Sequence, residues 1–307
     1  MRILFMGTPG FAVPSLQMLL EHEYSVVSVV TAPDKPRGRG QQMSYTPVKQ
    51  FALERHLPLL QPNNLKDLEF AERIRLLHVD LMVVVAFRIL PREIYTLPAR
   101  GSFNLHASLL PKYRGAAPIN WAIINGERET GVTTFFLQDK VDTGSIILQS
   151  KIPINDRDTA GEIHDKLASV GAQLVLATVK RIESGSVELL QQNDSMASPA
   201  PKIFKEHCRI DWNKPAVQIH NFIRGLSPHP TAWTLHNGKT LKMYRSMVLP
   251  SPQKSAGTVI HVSPDALQIG TQDGTLSITE IQQEGKRRLD IKEFLRGYKV
   301  HVGDQFE

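Results

Sequence analysis

The stretch Gly101-Ser102-Phe103-Asn104-Leu105-His106-Ala107-Ser108-Leu109-Leu110-Pro111-Lys112-Tyr113-Arg114-Gly115 decides how the chain is read. If Ser102 to His106 form a strand, the two-residue side-chain period puts Asn104 and His106 on one face and Phe103 and Leu105 on the other. An amide donor and a titratable imidazole then stand side by side. Pro111 and Gly115 interrupt regular structure soon afterwards, so the pair lies near the C-terminal end of the strand, where open α/β sheets hold their ligands. An Asn-x-His pair on a strand is more often structural than catalytic, and the surrounding sequence has to decide between the two.

Working outward, Arg2 to Met6 predicts a buried strand, Gly7-Thr8-Pro9-Gly10 a tight turn, and Pro14 to Glu21 a helix. These glycines do not make Gly-x-Gly-x-x-Gly, so a nicotinamide site is not expected. Ser25 to Thr31 is a second strand, and Leu81 to Phe87 is an apolar run of the kind a parallel strand buried on both faces produces. Helices are expected from Thr46-Pro47 to about Arg55, over Leu65 to Leu77 and over Ala117 to Asn125. A Thr-x-x-Glu capping box at Thr159 and Glu162 opens another, reaching Ser184. Strands alternating with helices predict a doubly wound, mostly parallel α/β sheet of Rossmann-like type for residues 1–190. Gln191 to Pro201 is polar and rich in Ser, Ala and Pro, as linkers are, and a linker is expected over residues 191–206. In 207–307 a helix at Pro215 to Arg224 precedes short strands separated by turn pairs such as Asn237-Gly238, which predicts a small β-barrel of OB-like type.

Composition narrows the class. The opening apolar run is too short for a signal peptide, and no later run approaches the roughly 18 apolar residues of a membrane span, so a cytoplasmic protein without a membrane partner is expected. Cys208 is the single cysteine, which excludes an intramolecular disulfide and a cysteine-based metal site. Residues 1–200 carry 21 Lys and Arg against 20 Asp and Glu, whereas 201–307 carry 15 against 10. The positive excess is therefore mostly C-terminal, where a polyanionic partner would find it. One further segment, Asp34-Lys35-Pro36-Arg37-Gly38-Arg39-Gly40-Gln41-Gln42, is basic and too poor in apolar residues to bury itself.

The central stretch, its sequel Ala116-Ala117-Pro118-Ile119-Asn120-Trp121, and Asp139-Lys140-Val141-Asp142-Thr143-Gly144 resemble the formyltransferase family that uses 10-formyltetrahydrofolate. That family's fingerprint is Asn-x-His, then Ser-Leu-Leu-Pro, then Asp-x-x-Asp-Thr-Gly. The opening Gly-Thr-Pro-x-Phe-Ala, the basic segment and Arg209-Ile210-Asp211-Trp212 extend the likeness to the methionyl-tRNA formyltransferases within it. Ala86-Phe87-Arg88-Ile89-Leu90-Pro91 departs from the family's Ala-Tyr-Gly-x-Ile-Leu-Pro by one residue and by the glycine.

Formyl transfer to an amine needs a free lone pair on the nucleophile, a donor for the developing oxyanion, and a path for the proton. Asn104 and His106 supply donors, and Asp142 can orient the imidazole. No metal is needed, and no His-x-x-x-His or Cys pair offers one. The resemblance implies that Ser108, Leu109, Leu110 and Pro111 help bind the folate, and that the acceptor is the methionine of initiator methionyl-tRNA. It also implies that Arg39, with Arg37 beside it, engages the tRNA. Relatives acting on a glycinamide nucleotide or an amino sugar share the same core, and a non-catalytic folate- or RNA-binding module is the other class. The chain is read as a monomer.

Overall fold

The computed structural model describes residues 1–37, 42–250 and 255–307. They form two compact units, each gathered from several stretches of chain. The first comprises Met1–Gly115, Thr130–Ile152 and His164–Pro199; the second comprises Ala116–Glu129, Pro153–Ile163 and Ala200–Glu307.

The first unit is built on a seven-stranded sheet. Its strands lie in the order Ile146–Pro153, Glu129–Phe136, Ser102–His106, Leu81–Val85, Arg2–Gly7, Ser25–Val30 and Leu59–Leu60. From Ser102–His106 to Leu59–Leu60 neighbours run parallel, and Glu129–Phe136 joins antiparallel. All five residues of Leu81–Val85 are buried, as a strand covered on both faces requires. Thr46 caps the helix Pro47–Glu54 by accepting the Lys49 N–H at 3.0 Å, and proline occupies the first helical position, where an N–H would go unused.

The basic segment, expected only as a loop, is in part a hairpin. Lys35–Arg37 pairs antiparallel with Gln42–Ser44. Its base is fixed by Asp34, whose carboxylate takes the Lys49 ammonium at 2.5 Å and the Gln61 amide at 2.9 Å. Those bonds, the Lys49 one first, hold the Asp34 carboxyl below its usual range.

In the second unit the strands Ala232–His236, Lys239–Leu249, Thr275–Gln283, Ala266–Gly270 and Val259–Ser263 form an antiparallel sheet in that order. Leu289–Asp290 adds to Thr275–Gln283 and leads into the helix Ile291–Gly297, which the sequence reading omitted. The Asn237-Gly238 turn has positive φ at both residues, 49° and 71°, the twist that tight hairpins need. The final residues then join the sheet's two outer strands. Val259 N–H bonds Asp304 O, Phe306 N–H bonds Gly257 O, and Leu235 and Glu307 exchange both backbone bonds. The expected barrel is closed in this way, around a core that includes Trp212, Ile223, Met243, Ile278 and Phe306.

The long helix Ala160–Ser184 begins at the expected box. Thr159 N–H bonds Glu162 at 2.8 Å, and Glu162 N–H returns to the Thr159 hydroxyl at 3.3 Å. Among the described residues, no helix is long and apolar enough to cross a membrane.

Candidate active site

Ser102–His106 adopts the predicted strand, with Phe103 and Leu105 buried on one face and Asn104 and His106 on the other. Asn104 is half-buried, and among the described residues no protein group hydrogen-bonds its amide. A donor so placed at the sheet's end is available to a ligand.

His106 is buried, and its two ring nitrogens differ. Nε2 lies 2.8 Å from the carbonyl oxygen of Tyr113. A carbonyl only accepts, so Nε2 carries the hydrogen and the neutral ring keeps its lone pair on Nδ1. Nδ1 faces Asp142 Oδ2 at 3.8 Å, beyond hydrogen-bond reach. The sequence reading gave Asp142 the task of orienting the ring; the Tyr113 carbonyl is the group bonded to it.

Asp142 is held in turn. Its Oδ2 accepts the Gly115 N–H at 2.9 Å, and its backbone is left-handed, φ 55°, as is that of Tyr113, φ 61°. Such a conformation at a buried tyrosine persists only where neighbours over-determine it. Here the Tyr113 N–H bonds the Ser198 hydroxyl at 2.9 Å and the Arg114 N–H bonds the Ser198 carbonyl at 2.9 Å. The segment read as a linker thus supplies partners for the loop beside His106. Arg114 Nε and Nη2 donate to Gln192 Oε1 at 3.0 and 2.7 Å, and Nη2 also reaches Asp194 at 2.7 Å. The Arg114 bond keeps the Asp194 carboxyl below its ordinary range. No motif marked Arg114, Gln192 or Ser198, because their partners lie far away along the chain.

Of the four residues expected at the folate, Ser108 and Leu110 are buried, and Leu109 and Pro111 are half-buried. Ser108 spends its hydroxyl on the Lys112 carbonyl at 2.7 Å, and Leu110 packs against Phe135 and Ile146. The turn is stitched to the neighbouring strand by Thr133, whose hydroxyl donates to the Ser108 carbonyl at 2.7 Å and accepts the Leu110 N–H at 3.1 Å. Asp139, the first acid of the second motif, binds Arg92 at 3.1 Å and the Tyr95 hydroxyl at 2.5 Å.

The departing segment Ala86–Pro91 follows the central strand. Ala86 takes a left-handed backbone, φ 48°, and Arg88 donates to the carbonyls of Pro62 and Asn63 at 2.7 and 3.1 Å. Its Nε is buried without a partner among the described residues, and burial lowers the guanidinium pKa. Arg39 lies outside the described residues, as does the side chain of Arg37, whose backbone ends the first strand of the hairpin. Among the described residues, no group of three or more His, Cys, Asp or Glu side chains is arranged to hold a metal ion.

Known proteins resemble this chain along its whole length. Residues 1–179 match the family described as formyl transferase, and residues 202–299 match the formyl transferase C-terminal domain. The methionyl-tRNA formyltransferase of Bacteroides fragilis is 49% identical over 317 residues, covering 100% of this chain and 97% of the relative. That of Bacteroides thetaiotaomicron is 49% identical over 313 residues, covering 99% and 97%. A solved structure of the N-formyltransferase from Helicobacter canadensis, in complex with folinic acid and dTDP-3-aminofucose, superposes with a TM-score of 0.69 at 25% identity. It spans 92% of this chain and 98% of its own. Likeness that runs from one end of the sequence to the other, at this level, means that the chain belongs to the formyl transferase family.

Proposed function

We infer that the chain transfers the formyl group of 10-formyltetrahydrofolate to the amino group of the methionine carried by initiator tRNA, the step that prepares this tRNA for translation initiation. The observation that carries the reading is near-half identity to methionyl-tRNA formyltransferases through both units, not through the catalytic motifs alone. The acceptor would otherwise stay open, since the motifs specify the reaction and not the amine.

The donor, when bound, supplies an activated formyl carbon. The half-buried Asn104 amide, with its hydrogens uncommitted among the described residues, donates to the oxyanion that develops as the amine attacks. His106 Nδ1 takes the proton released by the amine and returns it to the leaving nitrogen, while Nε2–H stays on the Tyr113 carbonyl and fixes the tautomer. Asp142 stabilises the imidazolium electrostatically across 3.8 Å. The Ser108–Pro111 turn forms a wall for the folate through the half-buried Leu109 and Pro111, with Ser108 and Leu110 holding the turn's shape.

In the same proposal residues 1–190 carry catalysis, 191–206 connect, and 207–307 together with Arg37 and Arg39 engage the tRNA, in a cytoplasmic monomer. The deciding experiment offers 10-formyltetrahydrofolate with methionyl initiator tRNA, glycinamide ribonucleotide or an amino-sugar nucleotide. Formylation of the tRNA alone is expected, and preference for either small amine overturns the assignment. Arg39→Ala should lower kcat/KM for the tRNA by about ten- to a hundredfold, the scale of one charge-assisted contact, and leave a minimal aminoacyl acceptor unchanged. Equal losses on both acceptors would remove Arg39 from tRNA binding.

A further inference from the structure

We propose that Gln192 is a positioning residue for Asp142, set by Arg114, and that this clamp fixes the carboxylate opposite His106. The inference rests on the catalytic reading of Asp142 given above and adds to it a residue from a distant, motif-free part of the chain.

The side-chain amide of Gln192 is saturated. Nε2 donates to the carbonyls of Asp142 and Gly144, at 2.9 and 2.8 Å. Oε1 accepts from Nε and Nη2 of Arg114, at 3.0 and 2.7 Å. Both hydrogens and both lone pairs are used, and a flipped amide would set its hydrogens against a guanidinium and its oxygen against two carbonyls. Gln192 therefore has one orientation here, with no capacity left over for a substrate.

What it grips is a backbone that needs gripping. Asp142 is left-handed, and two residues on, a Cβ on Gly144 would stand 1.7 Å from the Phe136 carbonyl, so this turn passes close against the sheet. Asp142 then sends Oδ2 to the N–H of Gly115, the residue that follows Arg114. The bonds close a ring: Arg114 to Gln192, Gln192 to the Asp142 backbone, and the Asp142 side chain to Gly115. Two bonds join Arg114 to Gln192, two join Gln192 to the Asp142 and Gly144 carbonyls, and one joins the Asp142 carboxylate to Gly115, so the ring ties down both the backbone and the side chain of the acid that stands 3.8 Å from His106 Nδ1.

A staple that merely keeps 190–194 in place would cost stability and leave catalysis alone. Gln192→Met keeps the length and removes all four bonds; Gln192→Glu keeps the two acceptor bonds from Arg114 and removes both donations. The assay is formyl transfer to methionyl-tRNA by the full-length protein, as kcat, KM for the formyl donor, and the pH dependence of kcat, with thermal melts alongside. Either variant should lower kcat by about ten- to a hundredfold with KM within about twofold, as a displaced catalytic group does. The acid limb of the profile should move in the direction that Asp142→Asn moves it. Combined with Asp142→Asn, the Gln192 change should cost little more than Asp142→Asn alone, because both act through one carboxylate. Wild-type kcat in a folded Gln192 variant, or losses that multiply in full, overturns the clamp while Asp142→Asn remains slow. If Asp142→Asn itself turns over normally, the catalytic reading falls and the clamp with it.

Discussion

One carboxylate oxygen, Oδ2 of Asp142, accepts the Gly115 N–H at 2.9 Å, so the acid facing the histidine is also part of the loop's hydrogen bonding. Charge and structure can be separated by substitution. Asp142→Asn keeps an oxygen acceptor for Gly115 and removes the charge, whereas Asp142→Ala removes both. Turnover should fall by at least about a hundredfold in each. Only Asp142→Ala should also lose about 1 kcal/mol of stability, the net worth of a typical hydrogen bond. Steady-state kinetics paired with urea melts measure both, and near-normal turnover in folded Asp142→Asn would contradict the assignment.

Asn104→Ala should be a purely kinetic lesion. Its amide has no partner among the described residues, so truncation breaks no bond there and thermal melting should be almost unchanged, while kcat drops by about 10²–10³. A large fall in melting temperature with intact kcat would make Asn104 structural.

Gly131 offers a test of the folate wall. A Cβ there would lie 2.1 Å from the Ser150 carbonyl and 2.5 Å from Leu109 Cδ2. Leu109 can shift and the carbonyl cannot, so Gly131→Ala should destabilise by about 1–3 kcal/mol. The displaced Leu109 should raise KM for the formyl donor more than it lowers kcat. An unchanged donor KM would separate Leu109 from the folate.

In the second unit, Arg224 is buried, with Nε on Asn221 and Nη1 on the carbonyls of Asn155 and Asp158 at 3.0 and 3.1 Å. Desolvation lowers its pKa, yet these acceptors compensate a charge that stays on. Arg224→Met keeps the apolar stem and leaves the acceptors unmatched, which should cost about 1–3 kcal/mol in chemical denaturation. A neutral result would mean that water replaces the guanidinium.

Stability should also depend on acid through Glu162. Burial pushes its pKa up, but the Thr159 N–H, the Arg245 guanidinium and the Thr159 hydroxyl outweigh that and hold it at about 2, against 4.5 unperturbed. A carboxyl lowered on folding stabilises the native state above its unfolded pKa and loses that contribution as pH falls towards the folded one. The stabilisation should be complete above about pH 4.5 and fade towards pH 2. Glu162→Gln should flatten this part of the stability curve; an unchanged curve would assign it to other carboxylates.

The sequence announced what depends on local pattern. Leu81–Val85 was legible as an unbroken apolar run, Ser102–His106 as an alternation, and the start of Ala160–Ser184 as a capping box. Asn104 and His106 shared a face because a strand's period leaves no choice. What stayed hidden depends on chain-distant partners. The tautomer of His106 is set by the carbonyl of Tyr113, a residue whose left-handed backbone no local pattern announces. Gln192 lies 78 residues from Arg114 in a stretch whose composition says only that it is polar. The hairpin of Lys35–Arg37 and Gln42–Ser44 is not legible in the sequence because three residues a side, one a proline, show no alternation. The helix Ile291–Gly297 had a cap in Asp290, but seven residues are too few for a clear period.

The segment Gly303–Glu307 does more than complete a fold. By bonding to Gly257 and Val259 on one side and Leu235 on the other, it occupies two rows of backbone donors and acceptors that would otherwise face outward. Open rows of that kind are templates for another chain. Gly303–Glu307 therefore leaves neither outer strand open at these bonds for pairing with another chain. A protein cut after Val302 should retain the strands of its second unit and yet associate with itself, strand edge to strand edge, at concentrations where the intact chain stays dispersed.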